Sequence, residues 1–157
     1  SDKMDSVVQK AVEMGVTRIV PMLPQRCVSR PDQKSAQKKV ERWQKISVEA
    51  AKQCGRGILP PVSPLTDFSA ALRQSASEST VLFFYEGGGQ SLQQCIDPSC
   101  KAYSIFIGPE GGFSEEEVQF ALDLGAKKAT LGPRILRTET APVAALAAIM
   151  LTTGNMT

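Results

Sequence analysis

The chain is 157 residues long, with 42% hydrophobic and 22% charged residues and a formal net charge of +2 at pH 7. That length suits one domain burying about 70% of the surface its unfolded chain exposes, and the composition excludes disordered and fibrous classes. No run reaches the roughly 18 to 20 apolar residues of a membrane span, and the opening SDKMD carries no apolar signal core, so a soluble protein is expected.

Residues 2–14 predict a helix with Met4, Val8 and Ala11 on one side and Gly15 as its stop. Residues 16–23 form an apolar, strand-like run ending before Pro24, and 25–33 read as an exposed loop. Between Arg26 and Arg56 nine Lys or Arg stand against three Asp or Glu, while the rest of the chain is net acidic. A concentrated positive surface attracts phosphates; the plainer alternative is the solvated side of a long helix. That helix is predicted over 35–54, with Val40, Trp43, Ser47, Ala50 and Cys54 as a buried stripe widened by Ile46. Lys38, Lys39, Arg42, Lys45 and Lys52 lie away from the stripe, and Trp43 is assigned to the core rather than to stacking on a base. Gly55, Gly57 and the pair Pro60-Pro61 end the helix, holding Arg56 near the bend.

A short helix at 67–74 leads into TVLFFYE at 80–86, whose continuous apolar run suits a central strand covered on both faces. Three glycines at 87–89 break it, 90–101 is weakly patterned, and 102–107 is a second buried strand. Ser114 and Glu117 make a capping-box pattern for a helix that Gly125 closes. A further strand is predicted at 127–131, and 142–151 is a helix apolar on most faces, which calls for burial in the core or against a second subunit. The alternation of elements implies a single α/β domain with a mostly parallel sheet flanked by helices.

The four cysteines, Cys27, Cys54, Cys95 and Cys100, lack CxxC spacing, and the chain has no histidine. Structural zinc and a disulfide-stapled fold are therefore not expected, a Cys-His pair and an Asp-His-Ser relay are excluded, and a reduced cytoplasmic setting is the simpler compartment. Three loops follow the most apolar strands: EGGG at 86–89, GPEGG at 108–112, and GPRILRTET at 132–140. In a parallel sheet such ends gather on one edge, where ligands bind. Neither GxGxxG nor GxxxxGK[ST] is present. Glycines that allow close backbone approach, with Pro109 and Pro133 stiffening the turns, instead suit a nucleoside held without a phosphate cradle.

IGPEGGFSEEE at 107–117 and LGPRILRTETA at 131–141 resemble the paired signature of the ribosomal RNA small subunit methyltransferase E family, within the knotted SPOUT methyltransferase superfamily. QKAVEMGV at 9–16, RW at 42–43 and EAAKQCGR at 49–56 agree in the same order, so the resemblance spans nearly the whole chain. It implies transfer of a methyl group from S-adenosylmethionine to N3 of a uridine in small-subunit rRNA, an obligate homodimer, and a C-terminal trefoil knot that general topology rules disfavour. It further implies that residues 1–157 are the catalytic domain, with the family's usual N-terminal RNA-binding β-barrel domain absent from this chain.

By the same resemblance the cofactor site takes in Phe84, Tyr85 and Glu86; Ile107, Gly108, Pro109, Glu110, Gly111 and Gly112; and Leu131, Gly132, Ile135, Leu136, Arg137, Thr138 and Thr140. Arg137 is placed beside the reacting uracil, with a salt bridge to Glu139 or Glu110 as its structural alternative; Glu139 is a candidate proton acceptor. Arg26, Arg42, Lys45 and Arg56 are the expected holders of rRNA phosphates, and no metal is required. Methylation at another base or ribose, and a noncatalytic RNA-binding role in ribosome assembly, stay open as alternatives.

Overall fold

The computed structural model describes residues 2–26 and 30–156, so Cys27 lies outside the described residues. Helix α1 covers Asp2–Glu13 and stops at Gly15, whose φ of +96° permits the reversal. The strand expected at 16–23 shrinks to a single bridge between Ile19 and Val62 and a two-residue strand β1, Met22–Leu23, paired in parallel with β2, Thr66–Asp67. An apolar run supplies side chains for burial, but a ladder needs an extended partner, and here the partner segment contains Pro60, Pro61 and Pro64.

Helix α2, Gln33–Gln53, is capped by Asp32, whose side chain accepts from the Ser35 N–H. Trp43, Ser47 and Ala50 are buried on it as expected, whereas Val40 and Ile46 are half-buried, Ala51 is buried in addition, and Cys54 is the exposed C-cap residue. Cys54 keeps the helical N–H bond to the Ala50 carbonyl but lies past the last buried residue of the helix, so the stripe ends at Ala51. Helix α3, Phe68–Glu78, extends beyond the predicted 67–74, with Asp67 as its cap.

Strands β3 (Thr80–Phe84), β4 (Gln90–Ser91), β5 (Tyr103–Ile107) and β6 (Lys127–Thr130) form a four-stranded, wholly parallel sheet in the order β4-β6-β3-β5. The apolar strand β3 is thus interior, which explains why both of its faces are hydrophobic. Val81 and Phe83 face one side with Phe106, under α3 and helix α5, Glu115–Asp123. Leu82 faces the other with Ala129, under the short helix α4, Leu92–Cys95, and helix α6, Ala141–Thr152. A further cluster joins α1 and α2 to Leu146 of α6. The α/β expectation therefore holds. The short elements β4 and α4 fall inside the segment that sequence patterning leaves blank. Strand β6, last in sequence, enters between β3 and β4, both made earlier.

Candidate functional site

Parallel alignment of β3, β5 and β6 brings their C-terminal ends to one edge, and the three loops that follow them enclose a cleft of about 500 Å³. That volume lies within the usual range for small-molecule sites, about 300 to 1,000 Å³. Phe84, Tyr85 and Glu86 line it from the first loop; Ile107, Gly108, Pro109 and Gly112 from the second; Leu131, Gly132, Ile135, Leu136 and Thr138 from the third. Four of the expected residues, Glu110, Gly111, Arg137 and Thr140, stand outside the lining. Glu110 is an exposed ion-pair partner of Lys3 from α1, and Gly111 is turned towards Arg26.

The lining also includes Gly88, Gly89, Pro133 and Arg134, which belong to the three loops already singled out, and Phe113, Ala129, Thr130 and Ala141, to which the sequence assigned no cofactor role. Phe113 is 1% exposed and packs in the core, its ring tilted against that of Phe83 with centroids 4.3 Å apart, so it is at once core residue and cleft wall. A Cβ at Gly89 would lie 2.5 Å from the Lys128 carbonyl oxygen, which shows how closely the first loop presses on β6. Gly132, with φ of +108°, starts the third loop in a conformation that L side chains rarely adopt. Ile135 is 78% exposed, an apolar side chain presented by the cleft wall to solvent.

These features suit a ligand with a flat heterocycle and a polar ribose. The wall offers Phe84, Pro109, Leu131, Ile135 and Leu136 for apolar contact, and the glycine-bearing turns admit the backbone to close range.

Arg137 is exposed, and its backbone carbonyl receives the N–H groups of Thr140 and Ala141 as the chain turns into α6. Neither carboxylate proposed as its structural partner is in ion-pair contact with it: Glu110 pairs with Lys3, and Glu139 accepts from the Thr138 hydroxyl at 3.3 Å. The Glu139 carboxyl is held below its ordinary range, first by its own backbone N–H; desolvation opposes this next, and the charge of Lys3, the Thr138 hydroxyl and the charge of Arg137 add smaller lowering effects. Such a group is ionised at neutral pH but weakly basic, so it is a poor proton acceptor.

The basic residues divide. Lys45 is exposed on α2 and shares a shallow depression with Lys38, Glu41, Arg42 and Ile46. Arg42 is largely exposed yet engages Asp5 of α1 through Nε and Nη2, at 3.1 and 2.5 Å from Oδ2. Half-buried Arg56 is engaged within the fold: its Nη1 donates to the carbonyls of Val12 and Val16 at 3.0 and 2.7 Å, bracing the end of α1. The C-terminal carbonyls of a helix lack intrahelical donors, which is why a cation is retained there. Arg26, exposed, donates from Nη1 to the Gly111 carbonyl at 3.1 Å and so sits on the outer side of the cleft's second loop.

Residues 1–150 match the family model described as an RNA methyltransferase domain. The chain belongs to the RNA methyltransferase domain family. The resemblance to the small subunit methyltransferase E group holds: the chain is 37% identical over 155 residues to ribosomal RNA small subunit methyltransferase E of Bacillus subtilis, which covers 94% of this chain and 60% of that protein. The corresponding protein of Neisseria gonorrhoeae, solved bound to S-adenosyl methionine, superposes with a TM-score of 0.88 at 42% identity, covering 96% of this chain and 61% of the other. A Legionella pneumophila protein solved with the cofactor SAM gives a TM-score of 0.90 at 31% identity, with 96% and 62% covered. This RNA methyltransferase domain thus spans about three-fifths of the length of the relatives it matches. Among its described residues no helix is long and apolar enough to cross a membrane.

Proposed function

We propose that the chain, as one catalytic domain over residues 1–157, methylates N3 of a uridine in small-subunit rRNA with S-adenosylmethionine as donor. The observation that carries this reading is the cleft: three glycine-bearing loops on adjacent parallel strand ends, in a chain similar to two proteins solved with that cofactor. Bound there, the cofactor supplies a methyl carbon made electrophilic by its sulfonium. The residues of the chain hold, orient and shield. Leu131, Ile135 and Leu136 give an apolar wall for adenine, and the turns at Gly108, Gly112 and Gly132 let main-chain groups reach ribose and base.

Uracil N3 must lose its proton before or as the new bond forms. Arg137, exposed between the lining residues Leu136 and Thr138 and, among the described residues, in no ion pair with a carboxylate, is the cation we place beside the base, where its charge favours the developing anion. Glu139, adjacent in the same turn and held ionised, is the candidate acceptor for the N3 proton; its lowered pKa makes it a weak base, so the charge of Arg137, which lowers the N3 pKa, contributes more to releasing that proton. Much of the acceleration comes from alignment of nitrogen, methyl carbon and sulfur.

RNA approaches along Arg26, Arg42 and Lys45, which lie on one contiguous basic segment of sequence, and Arg56, at the end of that segment, braces the end of α1. Two properties belong to the same proposal. The insertion of β6 between the earlier strands β3 and β4 supports a C-terminal trefoil knot. Leu151, 66% exposed on the apolar α6, supports a homodimer formed through that helix. A cytoplasmic location follows from the substrate. Calorimetry with S-adenosylmethionine, followed by mass mapping of small-subunit rRNA before and after incubation, tests the reading. Saturable binding is expected, together with a mass gain of one CH₂ on one uridine, as a methyl group replaces the N3 proton. A methyl group on ribose or another base would select the neighbouring activity, and binding of RNA without transfer would select the assembly role.

A further inference from the structure

Glu117 is 4% exposed, and both of its carboxylate oxygens are used. Oε1 accepts from the Ser114 backbone N–H at 2.9 Å, the ordinary return half of a capping box. A glutamine would serve that half equally well. Oε2 does something a cap does not require: it accepts the backbone N–H of Gln25 at 3.1 Å, from 92 residues away. Ser114 is doubled in the same way. Its hydroxyl accepts from the Glu117 N–H and donates to the Gln25 side-chain oxygen at 2.9 Å. The two capping residues of α5 therefore grip Gln25 by main chain and side chain together.

The next residue is Arg26, whose guanidinium reaches the Gly111 carbonyl. Its Cβ and its backbone oxygen both lie 3.5 Å from the place a Gly111 side chain would occupy. The segment thus lies flat against the outside of the loop whose inner face, Gly108, Pro109 and Gly112, lines the cleft. A buried carboxylate is costly, and it is retained where its oxygens meet donors that nothing else satisfies. Here one such donor belongs to the basic loop.

We infer that Glu117 is a positioning residue for RNA: acting through Gln25, it fixes Arg26 at the rim of the cofactor cleft, where the guanidinium meets a phosphate flanking the target nucleotide. The inference rests on the RNA reading above and adds a residue with no contact to either ligand. In Glu117→Gln the amide nitrogen faces one of the two N–H groups, a donor against a donor, so either the cap or the Gln25 contact is lost.

The test uses Glu117→Gln, Arg26→Gln and their combination, with small-subunit rRNA lacking the modification as the probe. Cofactor affinity by calorimetry is expected to stay within about twofold in all three, since none of the altered side chains lines the cleft. Each single variant is expected to raise KM for RNA and to lower the slope of log affinity against log salt by about 0.7 to 0.9, one phosphate contact. The double variant should lose no more than either alone, because both changes remove the same contact. Additive losses, an unchanged salt slope in Glu117→Gln, or a fall in cofactor affinity matching the fall in RNA affinity would each overturn the inference. If Glu117→Gln does not fold, Gln25→Ala reads the same coupling by the same cycle. A parent protein that binds no RNA would instead remove the reading on which the inference depends, an outcome distinct from parental binding with additive losses.

Discussion

A single added methyl group at Gly108 tests whether the cleft wall and the hydrophobic core are one structure. A Cβ there would stand 3.0 Å from Cδ2 and Cε2 of Phe113 and 3.3 Å from Cζ. Carbon atoms pack at about 3.5 to 4.0 Å, so ring or loop must move by roughly 0.5 to 1 Å. The ring has little room: Phe113 is 1% exposed, with Phe83 4.3 Å away and Phe68 5.5 Å away between centroids. Overpacking of this kind costs about 1 to 3 kcal/mol. If the core yields, the melting temperature falls by about 2 to 12 °C, taking roughly 2 to 4 °C per kcal/mol for a chain of this size. If the loop yields, Gly108 and Pro109 retreat into the cleft, and the affinity for S-adenosylmethionine falls about 5- to 150-fold at roughly 1.4 kcal/mol per decade. Calorimetry and thermal unfolding of Gly108→Ala divide the cost between these routes. Adding Phe113→Leu, which removes the ring, should restore part of the lost affinity. Parental affinity together with parental melting temperature in Gly108→Ala would refute the shared wall.

Arg137→Ala should lower single-turnover methylation by about 10²- to 10³-fold at saturating cofactor, with a much smaller effect on RNA affinity; a parental rate would remove Arg137 from the reacting centre. Lys38→Gln with Lys45→Gln should weaken RNA binding across sequences and reduce the salt slope by about 1.4 to 1.8, while cofactor binding is retained; an unchanged slope would return this part of α2 to a solvated face. Sedimentation equilibrium should give twice the 16.9 kDa chain mass, and Leu151→Lys should shift it to a single chain mass; a persistent monomer in the parent would exclude the dimer. Asp5 is held below its ordinary pKa, first by the hydrogen bond from Arg42, so its contribution to stability is present above about pH 3.9 and fades as pH falls through the lowered folded value. Melting temperature followed from pH 6 downward should therefore drop less steeply in the acid range for Asp5→Asn than for the parent; parallel curves would deny the linkage.

Local chemistry is what the sequence determined. Ser114 and Glu117 marked the start of α5, Gly15 and Gly125 the ends of α1 and α5, and TVLFFYE the interior strand, because caps, left-handed turns and two-sided burial each demand residue types within a few positions of one another. The three loops were legible for the same reason: glycine and proline at strand ends fix turns wherever the strands go. Tertiary structure alone decided which side of each loop faces the ligand. Gly111 and Glu110 belong to the motif as fully as Gly108, yet they turn outward to Arg26 and Lys3, partners 85 and 107 residues away. It also decided the fate of the cations. Arg26, Arg42 and Arg56 are alike as letters, but one meets a cleft-loop carbonyl, one a carboxylate and one the open end of a helix. Phe113 lies within the 107–117 signature and Gln25 outside every motif, yet the role of neither was legible, since both arise from groups brought together by the strand order β4-β6-β3-β5 and by a buried carboxylate whose second oxygen the cap does not need.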